Sequence, residues 1–467
     1  MKAPLRSGPI RPNIILVICC ASVVLVGIDS TIVNVALPRI GSELGSGVTG
    51  LQWIVDAYTL VVASLLIVSG GLGDRLGRRG VFEFGLAAFG IGSFLCSLAA
   101  NASWLIAFRS LQAIGGSMLN PLALAILSTV FSAGKERARA IGVWGATMGV
   151  TQGLGPCAGG LLTDCIGWRS IFWINVPIVL AMIVSGRRHI PVIPRRSDTT
   201  LDVPGQALIL VTLGAATFTM IEAPRLGWGS PAVVVAASLA AVGLCGLVGW
   251  ERVARNPILD YRRLKNRAVV AALAAGALVY LVMGTMLFVN TLYLQYVRQL
   301  SPIVAGLCIV PAAVAMALAS PLAARLAEAR GNVLPLVLTG VGICAGAAML
   351  TGLTPSTPLV YVALAYVVIT GSVTFVNPPI SNIVLAAFPP EDATVAASLA
   401  STSRSIGTCL GVAVVGYVVS PGATSGAGTW SQADNGIWIL MIGLGAVVVG
   451  CGWAMAEREK RWGLSRR

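Results

Sequence analysis

The fold of this chain turns on residues 69–82, SGGLGDRLGRRGVF. One apolar run, Leu51–Ser69, leads into the stretch, and another, Val81–Ala100, leads out of it. Between them stand one carboxylate and three guanidiniums, Asp74, Arg75, Arg78 and Arg79, interleaved with Gly70, Gly71, Gly73 and Gly77. Glycine lets backbone turn tightly and lets helix ends approach one another. The stretch therefore predicts a tight basic loop joining two membrane-length helices, and such loops lie on the cytoplasmic face. Two roles stay open for its charges: a topology anchor, or a working element of the machine.

Bulk properties agree with a membrane protein. Hydrophobic residues make up 56% of the chain and charged residues only 11%, with a mean hydropathy of +0.85. A soluble domain carries about twice that charged fraction. The net charge of +14 raises the question of nucleic acid. Position answers it, because 26 of the 32 Lys and Arg fall in alternate connectors between the apolar runs. That asymmetry orients a polytopic protein in its bilayer, so no nucleic-acid partner is expected.

Beginning at residues 14–37, apolar runs recur at 51–70, 80–100, 104–131, 138–162, 168–186, 205–223, 232–250, 268–294, 302–324, 333–352, 358–387, 394–418 and 435–455. Each is near the 20 or so residues that cross a bilayer. The expected fold is all-α and polytopic, with about fourteen transmembrane helices and both termini cytoplasmic. The first run is too long for a signal-peptide core and is read as a retained helix. A faint repeat divides the chain further: SPLAARLAEARGN, residues 320–332, follows the second run after Ala268 as residues 69–82 follow the second run of the chain. It keeps Arg325, Arg330 and Gly331 but has Ala324 in the place of Asp74. The resulting division is six helices over 14–186, a two-helix insertion over 205–250, and six helices over 268–455. Six-plus-six bundles with a site between the halves are a standard transporter design.

Chemistry-bearing residues are few. Ten cysteines are scattered, with no C-x-x-C, and the one histidine, His189, lies in a basic connector. No metal site is expected from these. No phosphate loop of the form G-x-x-x-x-G-K-[ST] occurs, which argues against an ATP-driven pump, and no cofactor is expected. What remains are the charges well inside the apolar runs, away from their ends: Asp29, Asp56, Arg109 and Arg404. Such groups cost roughly 2.5–3.5 kcal/mol at a helix centre and mark pathways or relays. At about 1.5 Å per residue, Asp29, Asp56 and Arg109 share the outer third to half of the membrane. An Asp–Arg pair there either fastens helices or takes part in proton transfer; two acids and one base leave a surplus carboxylate for a proton or a cation.

Several stretches carry a family resemblance. G-x-L-x-D-R-x-G-R-R, from Gly70 to Arg79, resembles the loop between helices 2 and 3 of the major facilitator superfamily, whose charges latch the inward-closed state. GIDSTIVNVALPRI (27–40) looks like the helix-1 signature of its fourteen-helix drug:proton antiporter branch, and WIVDAYTL (53–60) resembles helix 2. The acid at Asp56 is like that of members exporting multivalent cations. LIAFRSLQAIGG (105–116) is similar to the helix-4 motif whose arginine, Arg109 here, is associated with proton transfer. GLGPCAGG (153–160), with Gly155, Pro156, Gly159 and Gly160, resembles the helix-5 antiporter motif; Thr151 replaces one glycine of its usual repeat. GWRSIFWINVP (167–177), LYLQ (292–295), VNPPISN (376–382) and STSRSIGTCLGVAVVG (401–416) also look like this branch.

The resemblance implies a multi-pass protein of the cell membrane that exports lipophilic, cationic drugs by alternating access, driven by the proton gradient. It assigns proton coupling to Asp29 and Arg109, ligand contact to Asp56, and the latch to Gly70, Asp74, Arg75, Gly77, Arg78 and Arg79. Trp53, Tyr58, Trp144, Tyr280 and Tyr293 are candidate aromatic walls for a cation, although aromatic belts also form at both membrane surfaces. A dedicated exporter of a self-made antibiotic fits the same motifs. The expected partners are a small-molecule substrate, protons and the lipid bilayer, with the chain working as a monomer and not as an enzyme.

Overall fold

The computed structural model describes residues 11–131, 134–192, 202–254, 266–354, 356–388, 393–418 and 430–461. Much of the basic connectors expected at 187–204 and 251–267, and the end of the basic C-terminal segment, lies outside the described residues. Among the described residues every regular element is helical. The first part comprises α1 (Pro12–Leu44), α2 (Val48–Leu76), α3 (Arg78–Ser97), α4 (Ala102–Val130), α5 (Lys135–Cys165), α6 (Ser170–Trp173) and α7 (Asn175–His189). Then come α8 (Val203–Leu226) and α9 (Pro231–Val253). The last part comprises α10 (Arg267–Leu292) with a π-helical end at Tyr293–Val297, α11 (Pro302–Arg330), α12 (Val333–Leu350), α13 (Leu359–Val373), α14 (Asn377–Ala386), α15 (Ala393–Val418) and α16 (Trp430–Arg461).

Among the described residues, twelve helical stretches are long and apolar enough to cross a membrane. The further runs at 138–162 and 394–418 fall on α5 and α15, which are long helices but less apolar. α5 opens on Lys135, Glu136 and Arg137, and α15 carries Ser401, Thr402, Ser403 and Arg404. A helix that faces a polar interior needs less lipid-facing surface than one on the rim.

The 69–82 stretch differs from the expected loop. α2 continues through Asp74 and Arg75 to Leu76, and α3 begins at Arg78, so the turn is the single residue Gly77 at φ +105°. An L side chain rarely adopts that backbone region, which makes the glycine here a geometric requirement. The faint repeat behaves alike: α11 runs helically to Arg330 and stops at Gly331, φ +78°.

Small residues set the helix contacts. α10 and α15 pack backbone to backbone, and a Cβ on Gly411 would strike the Leu281 carbonyl. In lipid, where apolar surface gives no net drive between helices, close approach of this kind holds a bundle together.

α8 and α9 pair with each other, and α8 also lies against α2 and α15, while α9 turns Val235 and Val242 outward. Two polar contacts fasten α8 to α2, and an ion pair within α8 supports one of them. Trp53 Nε1 donates to Glu222 Oε1 at 2.9 Å, Glu222 pairs with the exposed Arg225, and Gln206 Nε2 donates to the Ser64 carbonyl. Glu222→Gln retains the acceptor for Trp53 and loses only a pair whose arginine is exposed, a loss of about 0–1 kcal/mol. Transport and thermal unfolding of that variant are expected to match the native protein. Glu222→Leu leaves Trp53 Nε1 without its acceptor, costing roughly 1–3 kcal/mol, and lower thermal stability of the purified variant checks it.

Candidate functional site: the central cavity

A cavity of about 410 Å³ lies between the first and last sets of helices. Its wall draws on α1 (Ser30, Asn34), α2 (Tyr58, Thr59), α4 (Arg109, Asn120), α5 (Trp144), α10 (Tyr280) and α15 (Ser401, Arg404). Leu66, Leu124 and Val384 carry it toward the end of the molecule where Gly77 and the first residues of α1 lie.

At the opposite end three seams close it. Gln52 Nε2, on α2, donates to the carbonyls of Val412 and Ala413 on α15 at 2.7 and 3.0 Å. Gln295 Nε2, beyond α10, donates to the Val35 carbonyl of α1 at 2.7 Å. Asp164, at the end of α5, accepts the Ile303 amide at 2.9 Å and so caps the start of α11. An amide at a helix start has no intrahelical acceptor, so this cap binds the two sets of helices to each other.

The expected antiporter motif sits on these seams. Gly155 and Gly159 turn toward α1, where added Cβ atoms would strike Thr31 and the Ile32 backbone. Gly160 meets α11: a Cβ there would lie 2.5 Å from the Pro302 carbonyl and 2.7 Å from Ile303 Cα. Gly306 on α11 in turn faces the Pro156 carbonyl.

Asp29 and Arg109, placed at similar depth by the sequence, lie side by side. Arg109 Nη1 donates to Asp29 Oδ2 at 2.6 Å, with both side chains essentially unexposed. The other oxygen, Oδ1, accepts Gln112 Nε2 at 2.7 Å and Asn175 Nδ2 at 3.2 Å. Ser93 joins both amides, at 3.2 and 3.0 Å. Tyr58 lies over the guanidinium, ring centroid 4.2 Å from its central carbon. Arg109 reaches the cavity wall, whereas Asp29 points away from it into the α1, α3, α4 and α7 interior. Arg109 and Tyr58 are thus wall residues in direct contact with the buried pair.

The other expected ligand contacts are placed differently. Asp56 is fully buried but does not line the cavity. Its oxygens accept no hydrogen bond among the described residues, and its polar neighbour is the Cys409 thiol, itself 3.4 Å from Thr217 on α8. Trp53 is engaged with Glu222, away from the cavity. Tyr293 sits on the π turn and donates its hydroxyl to the Thr354 carbonyl at 2.9 Å, also away from the cavity. Of the five named aromatics, Tyr58, Trp144 and Tyr280 are on the wall and Trp53 and Tyr293 are not.

The latch residues gather at the Gly77 end. Arg78 pairs with Asp74 at 2.8 Å and donates to the Ala125 carbonyl at 3.0 Å and to Thr129 at 2.6 Å, fixing the turn to α4. Arg79 pairs with Glu83 and donates to the carbonyls of Ile190 and Arg187 at the end of α7. Gly70 is half-buried on α2, and Arg75 is exposed. These bonds stay within the first set of helices, at the end opposite the three seams.

Sequence reasoning passed over Gln112, Asn175, Gln52, Gln295 and Asp164. A signal existed for four of them, since each stands inside or beside a quoted motif or apolar run as a lone amide. Lone amides within spans seek partners across helices, but nothing in one sequence says which.

The Major Facilitator Superfamily model matches residues 19–412. A methylenomycin A resistance protein of Streptomyces coelicolor is 33% identical over 443 residues, 94% of this chain and 91% of that one. Multidrug resistance protein Stp of Mycobacterium tuberculosis is 35% identical over 405 residues, 85% of this chain and 74% of that one. A crystal structure of the peptide transporter POT in complex with sulfate superposes with a TM-score of 0.71 over 96% of this chain and 95% of its own, at 14% identity, a likeness of fold alone. With a match from α1 to α15 and a cavity between two sets of helices, this chain belongs to the major facilitator superfamily of membrane transporters.

Proposed function

We propose that the chain is a proton-coupled antiporter that exports lipophilic small molecules across the cytoplasmic membrane by alternating access. In this reading α5 and α15 are membrane spans too, giving fourteen, with both termini cytoplasmic. Residues 14–186 and 268–455 are the two moving six-helix bundles, 205–250 is an insertion, and one chain suffices. The closed seams at Gln52, Gln295 and Asp164 then lie on the outer face, and the cavity faces inward.

One observation carries the proposal: a buried carboxylate–guanidinium pair, wrapped in amide donors, whose guanidinium forms part of the cavity wall. Protonating Asp29 removes the charge that holds Arg109, freeing the guanidinium to move at the wall. A ligand pressing on Arg109 or Tyr58 shifts the same equilibrium from the other side. Two ligands coupled through one element oppose each other reciprocally, which is what antiport requires. One proton crossing with the potential supplies about 2.3 kcal/mol per 100 mV.

The test is accumulation of dyes and antibiotics by everted membrane vesicles containing the protein. Accumulation that collapses with a protonophore supports the proposal. Accumulation that survives a protonophore and stops without ATP refutes it.

A further inference from the structure

Two arginines line the cavity, and their surroundings differ. Arg109 is neutralised by Asp29. Arg404, on α15, donates from Nη2 to Ser401 Oγ at 2.8 Å and stands 5.9 Å from the Tyr280 ring centroid. No carboxylate among the described residues pairs with it, and none lines the cavity. Between Asp260 and Glu457 the chain holds only Glu328, Glu391, Asp392 and Asp434 as acids.

A guanidinium at membrane depth is normally paired, because leaving it bare is costly. Its planar fork of five donors suits a carboxylate held in two-point contact, and among the described residues its hydrogen bond to Ser401 leaves most of that fork unused. Tyr280 does not compete for it, since its hydroxyl is directed to Asn377 Oδ1 at 3.2 Å. Two more donors on the wall lack acceptors among the described residues: Trp144 Nε1 and the Tyr58 hydroxyl. Much of the remaining wall is aliphatic, with Val26, Val62, Leu66, Leu124, Met283 and Leu287. The cationic ligand expected from Asp56 thus finds no countercharge here, because Asp56 faces α8 and α15 behind the wall.

We infer that the cavity takes lipophilic organic acids, with the apolar body against the aliphatic wall and a carboxylate, or a comparably acidic oxygen group, on Arg404. The direction of transport rests on the export reading above; the charge preference does not.

The experiment is calorimetric binding to the purified full chain of three probes with one apolar body: naphthaleneacetate, its methyl ester and naphthylethylamine. The native protein is expected to bind the acid at least ten-fold more tightly than the amine. Arg404→Gln should erase that preference while leaving ester binding unchanged, and Arg404→Lys should keep part of it. If Arg404→Gln loses the ester as well, Arg404→Lys decides: a retained acid preference supports the inference, and equal binding overturns it. Amine binding as tight as acid binding in the native protein, no binding of any probe, or an acid preference unmoved by Arg404→Gln overturns it too. Lysophosphatidate is the second arm, and tighter binding of it than of naphthaleneacetate assigns the anion to a lipid and overturns the small-molecule assignment. Proton coupling plays no part in these measurements. A protonophore-insensitive vesicle assay would leave this result standing, and equal binding of acid and amine would leave proton-driven export standing.

Discussion

Asp29→Asn is expected to lower proton-driven transport of every substrate at least a hundred-fold. The carboxylate accepts Arg109, Gln112 and Asn175 together, in a place without solvent. Removing its charge leaves Arg109 buried and unpaired, and breaking such a pair costs about 3–5 kcal/mol. Loss of transport alone would therefore not separate a proton carrier from a structural fastener. The double variant Asp29→Asn with Arg109→Gln does. Replacing both members of a buried pair is often close to neutral for stability, so its thermal unfolding should return toward the native value. If the pair couples protons, transport stays lost in the double variant. Recovered transport with recovered stability would reduce Asp29 and Arg109 to a fastening between α1 and α4.

The second large effect is expected at the α5–α11 seam. In Gly160→Leu the new side chain meets backbone on the far side, at the Pro302 carbonyl and Ile303 Cα, and no rotamer of a neighbour relieves it. Overpacking in a well-packed interior typically costs about 1–3 kcal/mol, and more where backbone cannot yield. The penalty applies only while the seam is closed, so the variant should fold, reach the membrane and populate the conformation with this end open. Cyclic transport should fall at least a hundred-fold. Cys157 and Cys308 flank the seam and are half-buried in the closed form. Their alkylation by an impermeant maleimide, mapped by mass spectrometry, should rise in the variant. Native turnover in Gly160→Leu would mean that this seam does not open and close.

Much of this arrangement was legible in the sequence because charge and glycine are expensive in lipid. Asp29, Asp56 and Arg109 were placed at one depth, since a helix rises uniformly and the span boundaries fix where each residue lies, and the family resemblance singled out Asp29 with Arg109. The glycines of 153–160 were matched by size. Asp56 and Tyr293 were not, because depth says nothing about rotation: Asp56 shares the depth of Asp29, yet α2 turns it toward Cys409. Tyr293 lies on a π turn, whose extra residue per turn shifts the helix face in a way no apolar period reveals. Trp53 finds its acceptor 169 residues away on α8, a contact that depends on where the insertion docks. The 69–82 stretch was correct in position but not in form, since helix persists on both sides of a single glycine.

The central claim is that export and proton movement are one event, and it is tested most directly by observing the proton. With purified protein in liposomes holding a pH-sensitive dye, and no pH gradient imposed, an outwardly directed substrate gradient is applied. Substrate leaving the lumen is expected to draw protons in, acidifying it, and Asp29→Asn is expected to show neither flux. Substrate leaving at the native rate with the luminal pH unchanged would contradict it.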